Sequence, residues 1–315
     1  MCAQLLSERK FNADRVEVMK QACYAILLLL FLHPAFSAEA APIEVIDDAG
    51  KTVALAQPAQ RIVSLAPHIT EMLFSAGAGD RIVGTVAFSD YPEVAMRIPK
   101  IGSSQHLDFE RITALRPDLI VGWKSGNPLA ALEHLEKLGF TLFLSEPRIL
   151  GDIADNIEKL ARLTATEAAA RKNIHPFREG LRKLAAQYSG AAPVTVFYEI
   201  WNRPMMTLNG EHIVSSVIDL CGGRNVFANL SNLAPRVGTE AVLQRNPQAI
   251  IASGSGSERP AWLDDWKQWP SLRAVENNHL FFIPPDIIQR HSLRILQGAE
   301  MLCDQLQQVR RAAGP

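Results

Sequence analysis

The side chains able to do chemistry in this 315-residue chain are dispersed histidines, strand-end aromatics and a few cysteines rather than a catalytic set. There is no G-x-S-x-G elbow, phosphate-binding G-K-[ST] loop, G-x-G-x-x-G turn or H-E-x-x-H helix. Gly254–Ser257 is a small-residue loop without the lysine and helix that phosphate needs, and no two carboxylates are paired by spacing. His68, His106, His134, His175, His212, His279 and His291 are scattered, without the close spacing or cysteine partners that zinc favours, so no metal site is expected. His68 and His291 each flank a loop and are candidate ligand contacts, with capping or exposure as the alternative. Trp123 ends one apolar run, Trp201 follows another, and Tyr91 follows a third. Open α/β sheets bind ligands at the C-terminal ends of their strands, so these three rings are candidates for an apolar ligand, with packing as the alternative. Trp262, Trp266 and Trp269 fall at i, i+4 and i+7 and read as a helical face packed on the protein.

The elements that must position these rings alternate strand and helix. Apolar runs at Arg61–Leu65, Ile82–Val86, Leu119–Trp123 and Thr141–Leu144 read as strands. Helices are expected from Pro67 to Gly77, over Phe109–Leu115 and over Pro128–Leu138. That alternation means an α/β lobe with a mainly parallel sheet. Leu150–Gln187 is almost free of glycine and rich in Ala, Leu, Glu, Lys and Arg, so two helices broken near Thr164–Thr166 should connect this lobe to the next. The pattern restarts with strands at Val194–Tyr198, Ala249–Ala252 and Leu280–Ile283, and a terminal helix over Leu293–Arg311.

A repeat supports two similar lobes. Glu110, Pro117 and the run Ile120-Val121 match Glu240, Pro247 and Ile250-Ile251 at one offset of 130 residues. The expected architecture is two α/β lobes joined by a long rigid helix: residues 41–149, a linking segment at 150–190, and 191–315.

The composition, 48% hydrophobic and 21% charged with 32 basic against 33 acidic residues, excludes a disordered chain. A net charge of −1 argues against a nucleic-acid partner. Residues 1–40 read as a secretory signal peptide. Lys20 precedes an apolar run ending at Leu32, and Ala38-Glu39-Ala40 supplies a small-residue cleavage site. The run is shorter than the roughly 20 residues of a membrane span, and Met19 is an alternative start. Export leaves Cys221 and Cys303 as the mature cysteines, which in an oxidising compartment most often pair.

Arg61–Glu71, Ser89–Pro92, Leu107–Val121, Gly122–Asn127, Leu220–Phe227 and Pro285–Arg290 together resemble the ferric-siderophore and vitamin B12 class of binding proteins that serve ABC importers, on its cobalamin-binding side. The resemblance covers about Arg61 to Gln308. It implies the class III architecture, a corrin pocket lined by Tyr91 and Trp123, and a polar loop carrying Asp286 and Arg290. It also implies a bridge between Cys221 and Cys303, and lobe-tip glutamates, Glu110 and Glu240, that dock on the transporter. The chain lacks some of the family's tryptophans, having Ser103-Ser104-Gln105 before His106, Ala234-Pro235, and Ile287-Ile288 after Asp286; Trp201 stands where it would compensate. The expected activity is capture of cobalamin in the periplasm, by a monomer, for the homodimeric permease of an inner-membrane ABC importer. Cobalamin would be cargo, with no cofactor and no catalysis. A ferric-siderophore or haem receptor is the alternative within transport, with Arg203, Arg236, Arg290 and Arg294 as its cationic contacts; a secreted enzyme is the alternative outside it.

Overall fold

The computed structural model describes residues 41–254 and 256–312. The expected signal peptide, with its cleavage point and the alternative start at Met19, lies outside the described residues.

Two four-stranded parallel sheets organise the chain. In the first, β3 (Ile62–Ser64), β4 (Ile82–Thr85), β5 (Leu119–Trp123) and β6 (Leu142–Ser145) lie in the order β4-β3-β5-β6. These runs are mostly apolar because helices cover both faces. Parallel pairing brings all four C-terminal ends, from Thr85 and Ser64 to Trp123 and Ser145, to one edge. Ahead of them, β1 (Ile43–Ile46) and β2 (Thr52–Leu55) form an antiparallel hairpin. No strand stands out here in the sequence, since four alternating residues are too few for a period. Asp47 Oδ1 closes the turn by accepting from the Ala49 and Lys51 N–H groups at 2.9 and 2.8 Å, and the Asp47 and Asp48 carboxylates dock the hairpin by accepting from the Leu144 and Glu146 N–H groups at 3.1 and 2.7 Å.

Helix α1 (Pro67–Ala76) starts on a proline, whose missing N–H costs nothing there, and stops at Gly77 in the left-handed region, φ 86°. Helices α2 (Phe109–Leu115) and α3 (Leu129–Lys137) complete the lobe. Helix α4 (Leu150–Thr164) ends at left-handed Ala165, and α5 (Glu167–Tyr188) runs 22 residues toward the second lobe.

The second sheet, ordered β10-β7-β11-β12, contains β7 (Val194–Glu199), β10 (Gly223–Asn225), β11 (Ala249–Ala252) and β12 (Leu280–Phe282), again all parallel. A ribbon of β8 (Trp201–Asn202) and β9 (Met205–Met206) projects beyond β7. The helices here are α6 (Ile213–Leu220), α7 (Thr239–Arg245), α8 (Arg273–Glu276), α9 (Pro285–Ile288) and α10 (Ile295–Ala312). Residues Ala261–Gln268 form 3-10 turns instead of an α-helix. Pro260 and Pro270 bracket the segment, and Trp269, preceding Pro270, is held out of the helical region at φ −113°, ψ 75°. Trp266 is buried against Phe197, with ring centroids 5.7 Å apart.

One apolar core runs through both lobes and the connecting helices, joining Ile69 and Leu73 of α1, Ile157 of α4, Phe177 of α5, Val217 of α6 and Leu302 of α10. Cys221, at the end of α6, is bonded to Cys303 of α10, with Cα atoms 4.7 Å apart. The offset-130 repeat is structural as well. Helices α2 and α7 are each seven residues long and end on left-handed Arg116 and Asn246, φ 44° and 43°. Glu110 and Glu240 hold the second position of each and are exposed.

Candidate functional site

Trp123 is the last residue of β5, and its placement is built locally. The Asn127 side chain accepts the Trp123 backbone N–H at 2.7 Å and donates to the carbonyls of Leu65 and Ser104 at 3.0 and 2.9 Å. The ring lies over Gly126, where any Cβ would overlap the indole. Its edge meets the buried imidazoles of His68, from α1, and His291, from the loop before α10, at centroid distances of 5.0 and 5.7 Å. His68 and His291 are themselves 5.0 Å apart, and His212 lies 5.8 Å from His291. Burial, followed by the nearby Arg148 charge, lowers the His291 pKa to about 4. Burial and the neighbouring His291 lower His212 to about 3 and push His68 well below its usual range. All three imidazoles are neutral at ordinary pH.

A few ångströms away the lobes are joined by charge. Glu71 of α1 has a side chain only 2% exposed, on the helix face that it shares with His68, Phe74 and Ser75. It accepts from Arg290 Nη1 at 3.0 Å, Arg294 Nη1 at 3.2 Å and Ser292 Oγ at 2.6 Å, all on the other lobe. Arg290 also pairs with Asp90 at 2.6 Å and with Asp286 at 2.8 Å. Burial raises the Glu71 pKa in spite of its cationic partners. Burial opposes the charge of Asp90 too, but Arg290 outweighs it and holds that carboxyl below its usual range. Desolvation likewise works against Arg290, yet Asp90, Glu71 and Asp286 keep its guanidinium above its ordinary value. Two guanidinium groups thus face three carboxylates.

Tyr91, Asp286 and Arg290 fall in this charged neighbourhood. Arg294 lies 4.2 Å over the Tyr91 ring, and both line a groove of about 490 Å³ with Glu71, Ser292 and Lys172 of the connecting helix. Trp123 and His68 meet His291 instead. Trp201 joins neither group among the described residues: it is 43% exposed, with Nε1 donating to the Arg203 carbonyl at 3.0 Å.

Four participants went unread in the sequence. Glu71 carried little signal, since its helix face also holds His68 and Ser75. Asp90 and Ser292 carried none. Phe88, 78% exposed and held in the left-handed region at φ 63°, presents an apolar ring on the same loop as Tyr91. Such a φ is uncommon outside glycine.

Comparison with known proteins agrees with this architecture. A vitamin B12-binding protein of Vibrio cholerae is 38% identical over 250 residues, covering 79% of this chain and 90% of that one. The vitamin B12-binding protein of Yersinia pestis is 35% identical over 264 residues, 81% of this chain and 89% of the relative. The crystal structure of the periplasmic vitamin B12-binding protein of Vibrio cholerae superposes with a TM-score of 0.75 at 37% identity, covering 80% of this chain and 98% of that one. A haem-binding protein crystallised with two haems has a TM-score of 0.71 at 18% identity, which shows shared fold alone. The periplasmic binding protein family model matches residues 62–287, a span that holds both four-stranded sheets and the connecting helices, and the chain belongs to that family.

Proposed function

We propose that this protein captures cobalamin at the junction of its two lobes, in the periplasm, and delivers it to an inner-membrane ABC importer. The observation that carries the reading is the 38% identity, over most of its length, to a protein named for vitamin B12 binding. The site's chemistry supports it. Trp123, Tyr91 and the exposed Phe88 and Trp201 offer ring surface for a large apolar macrocycle, and burying such contacts supplies the affinity. Asp286 and Arg290 give the polar contacts that set orientation. The relatives are named for binding, which supports a binding role.

An anionic iron chelate or haem needs cleft cations to spare. Here Arg290 and Arg294 are committed to Glu71, Asp90 and Asp286, which favours a ligand without net negative charge. Glu110 and Glu240 are the docking pair of this reading. They are exposed at equivalent positions, and a homodimeric permease has the matching two-fold symmetry. Titration of the purified protein with cyanocobalamin, haem and ferric siderophores tests the ligand. Tight binding of cyanocobalamin alone is expected, and preferential binding of an iron chelate would overturn it.

A further inference from the structure

His68 Nε2, Trp123 Nε1 and His291 Nδ1 are shut off from solvent within one cluster, and none has a hydrogen-bond partner among the described residues. Buried polar atoms almost always have partners, and leaving one unmade is costly. Three in one place, contributed by both lobes, mark a site waiting for a polar group. An indole N–H can only donate, whereas a neutral imidazole offers one donor and one acceptor. The complement to that set is a group that both accepts and donates. A carboxylate only accepts, so it cannot supply the donor that a neutral imidazole acceptor calls for.

Resting on the cobalamin reading, we propose that His68, Trp123 and His291 form a receptor for one propionamide arm of the corrin ring, the carboxamide oxygen accepting from Trp123 Nε1 and its NH2 donating to an imidazole. His68 and His291 meet edge to face from opposite lobes, with an interplanar angle of 73°, so an arm entering between them exchanges one ring contact for several hydrogen bonds. Neutrality of both imidazoles keeps an acceptor available. The site therefore selects intact amides over hydrolysed corrinoids, a discrimination that ring stacking alone does not supply.

The test titrates the mature protein with cyanocobalamin and with its b-, d- and e-monocarboxylic acids, each having one propionamide converted to a carboxylate. The wild type is expected to bind at least one acid tenfold or more weakly than cyanocobalamin. His68→Leu/His291→Leu should bind cyanocobalamin tenfold or more weakly and treat that acid and cyanocobalamin within threefold of each other. Its ligand-free melting midpoint should hold or rise, whereas a purely structural pair would lower it. If the double variant does not fold, Trp123→Phe, which keeps a ring and removes the donor, must narrow the same discrimination. Equal binding of all three acids by the wild type, or unchanged affinity and selectivity in the variants, overturns the inference while leaving cobalamin binding intact. Failure of the wild type to bind cyanocobalamin overturns both.

Discussion

Arg290 and Glu71, 219 residues apart in sequence, meet at 3.0 Å across the lobe junction. The contact is one edge of a cluster that also holds Asp90, Asp286, Ser292 and Arg294, so it acts as a clasp rather than an isolated pair. Removing one member of a buried pair is more damaging than the pair's net worth, because a desolvated charge is left behind.

Glu71→Ala leaves Arg290 with Asp90 and Asp286 but strips Arg294 and Ser292 of their partner on α1. The expected cost is about 2–3 kcal/mol, read as a lowered melting midpoint of the ligand-free protein. Asp286→Ala, at an exposed edge of the cluster, should cost less than about 1 kcal/mol. An equal or reversed order would show that the clasp does not centre on Glu71.

Trp123→Ala removes the ring that bridges β5 to His68 and His291. Loss of one aromatic contact is worth ~1–3 kcal/mol, so cyanocobalamin should bind about tenfold more weakly or worse. Trp201→Ala should change affinity less, its indole being already tied to Arg203. Calorimetric titration of both variants checks the ranking.

Stability should fall in acid. The folded pKa of His291 is about 4 and that of His212 about 3, both below the ordinary 6.5. The unfolded chain therefore binds more protons than the folded one between those values. By linkage, stability is full above pH 6.5 and declines as pH drops, by about 1.4 kcal/mol per unit for each buried imidazole. Arg148 and Arg290 add positive charge beside the cluster and oppose its protonation. Melting midpoints from pH 7 to pH 4 should drop steeply in the wild type and less steeply in His291→Leu. Parallel curves would refute the assignment.

The disulfide between Cys221 and Cys303 closes a separation of 82 residues. Chain-entropy reasoning gives about 4 kcal/mol of stabilisation for a loop of that size. Cys221→Ala/Cys303→Ala should melt roughly 10 °C lower yet bind ligand with little change, since both sulfurs lie away from the lobe junction. A tenfold loss of affinity would contradict that separation of roles.

Charge reversal at both Glu110 and Glu240 should abolish importer-dependent uptake and leave solution binding intact. A single reversal should give an intermediate loss, because a two-fold contact retains one half. Normal uptake by the double variant would exclude the pair from docking.

Much of the fold was legible because its elements are bounded by strong punctuation. Leu119–Trp123 and Phe109–Leu115 fall where the apolar runs, Pro117 and the flanking turns put them. The 130-residue repeat was readable for the same reason, down to Pro117 and Pro247. The site was legible only in part. Trp123 follows from its position at a strand end. The clasp does not, because spacing says nothing about residues 219 positions apart, and Asp90 and Ser292 look like ordinary loop residues. The Trp262–Trp269 segment misled, since helical spacing of three tryptophans coincides with proline-bounded 3-10 turns whose packing partner, Phe197, is remote in sequence.

Helix α5 joins one apolar core with α1 and α4 on one side and α10 on the other. A receptor hinged on a loose tether surrenders conformational freedom when its halves close on cargo, and its affinity is reduced accordingly. This chain gives up that freedom during folding, before any ligand arrives. Capture then asks only for a local parting of side chains at the lobe junction. Under the proposed transport role, unloading then has to be driven from outside the receptor.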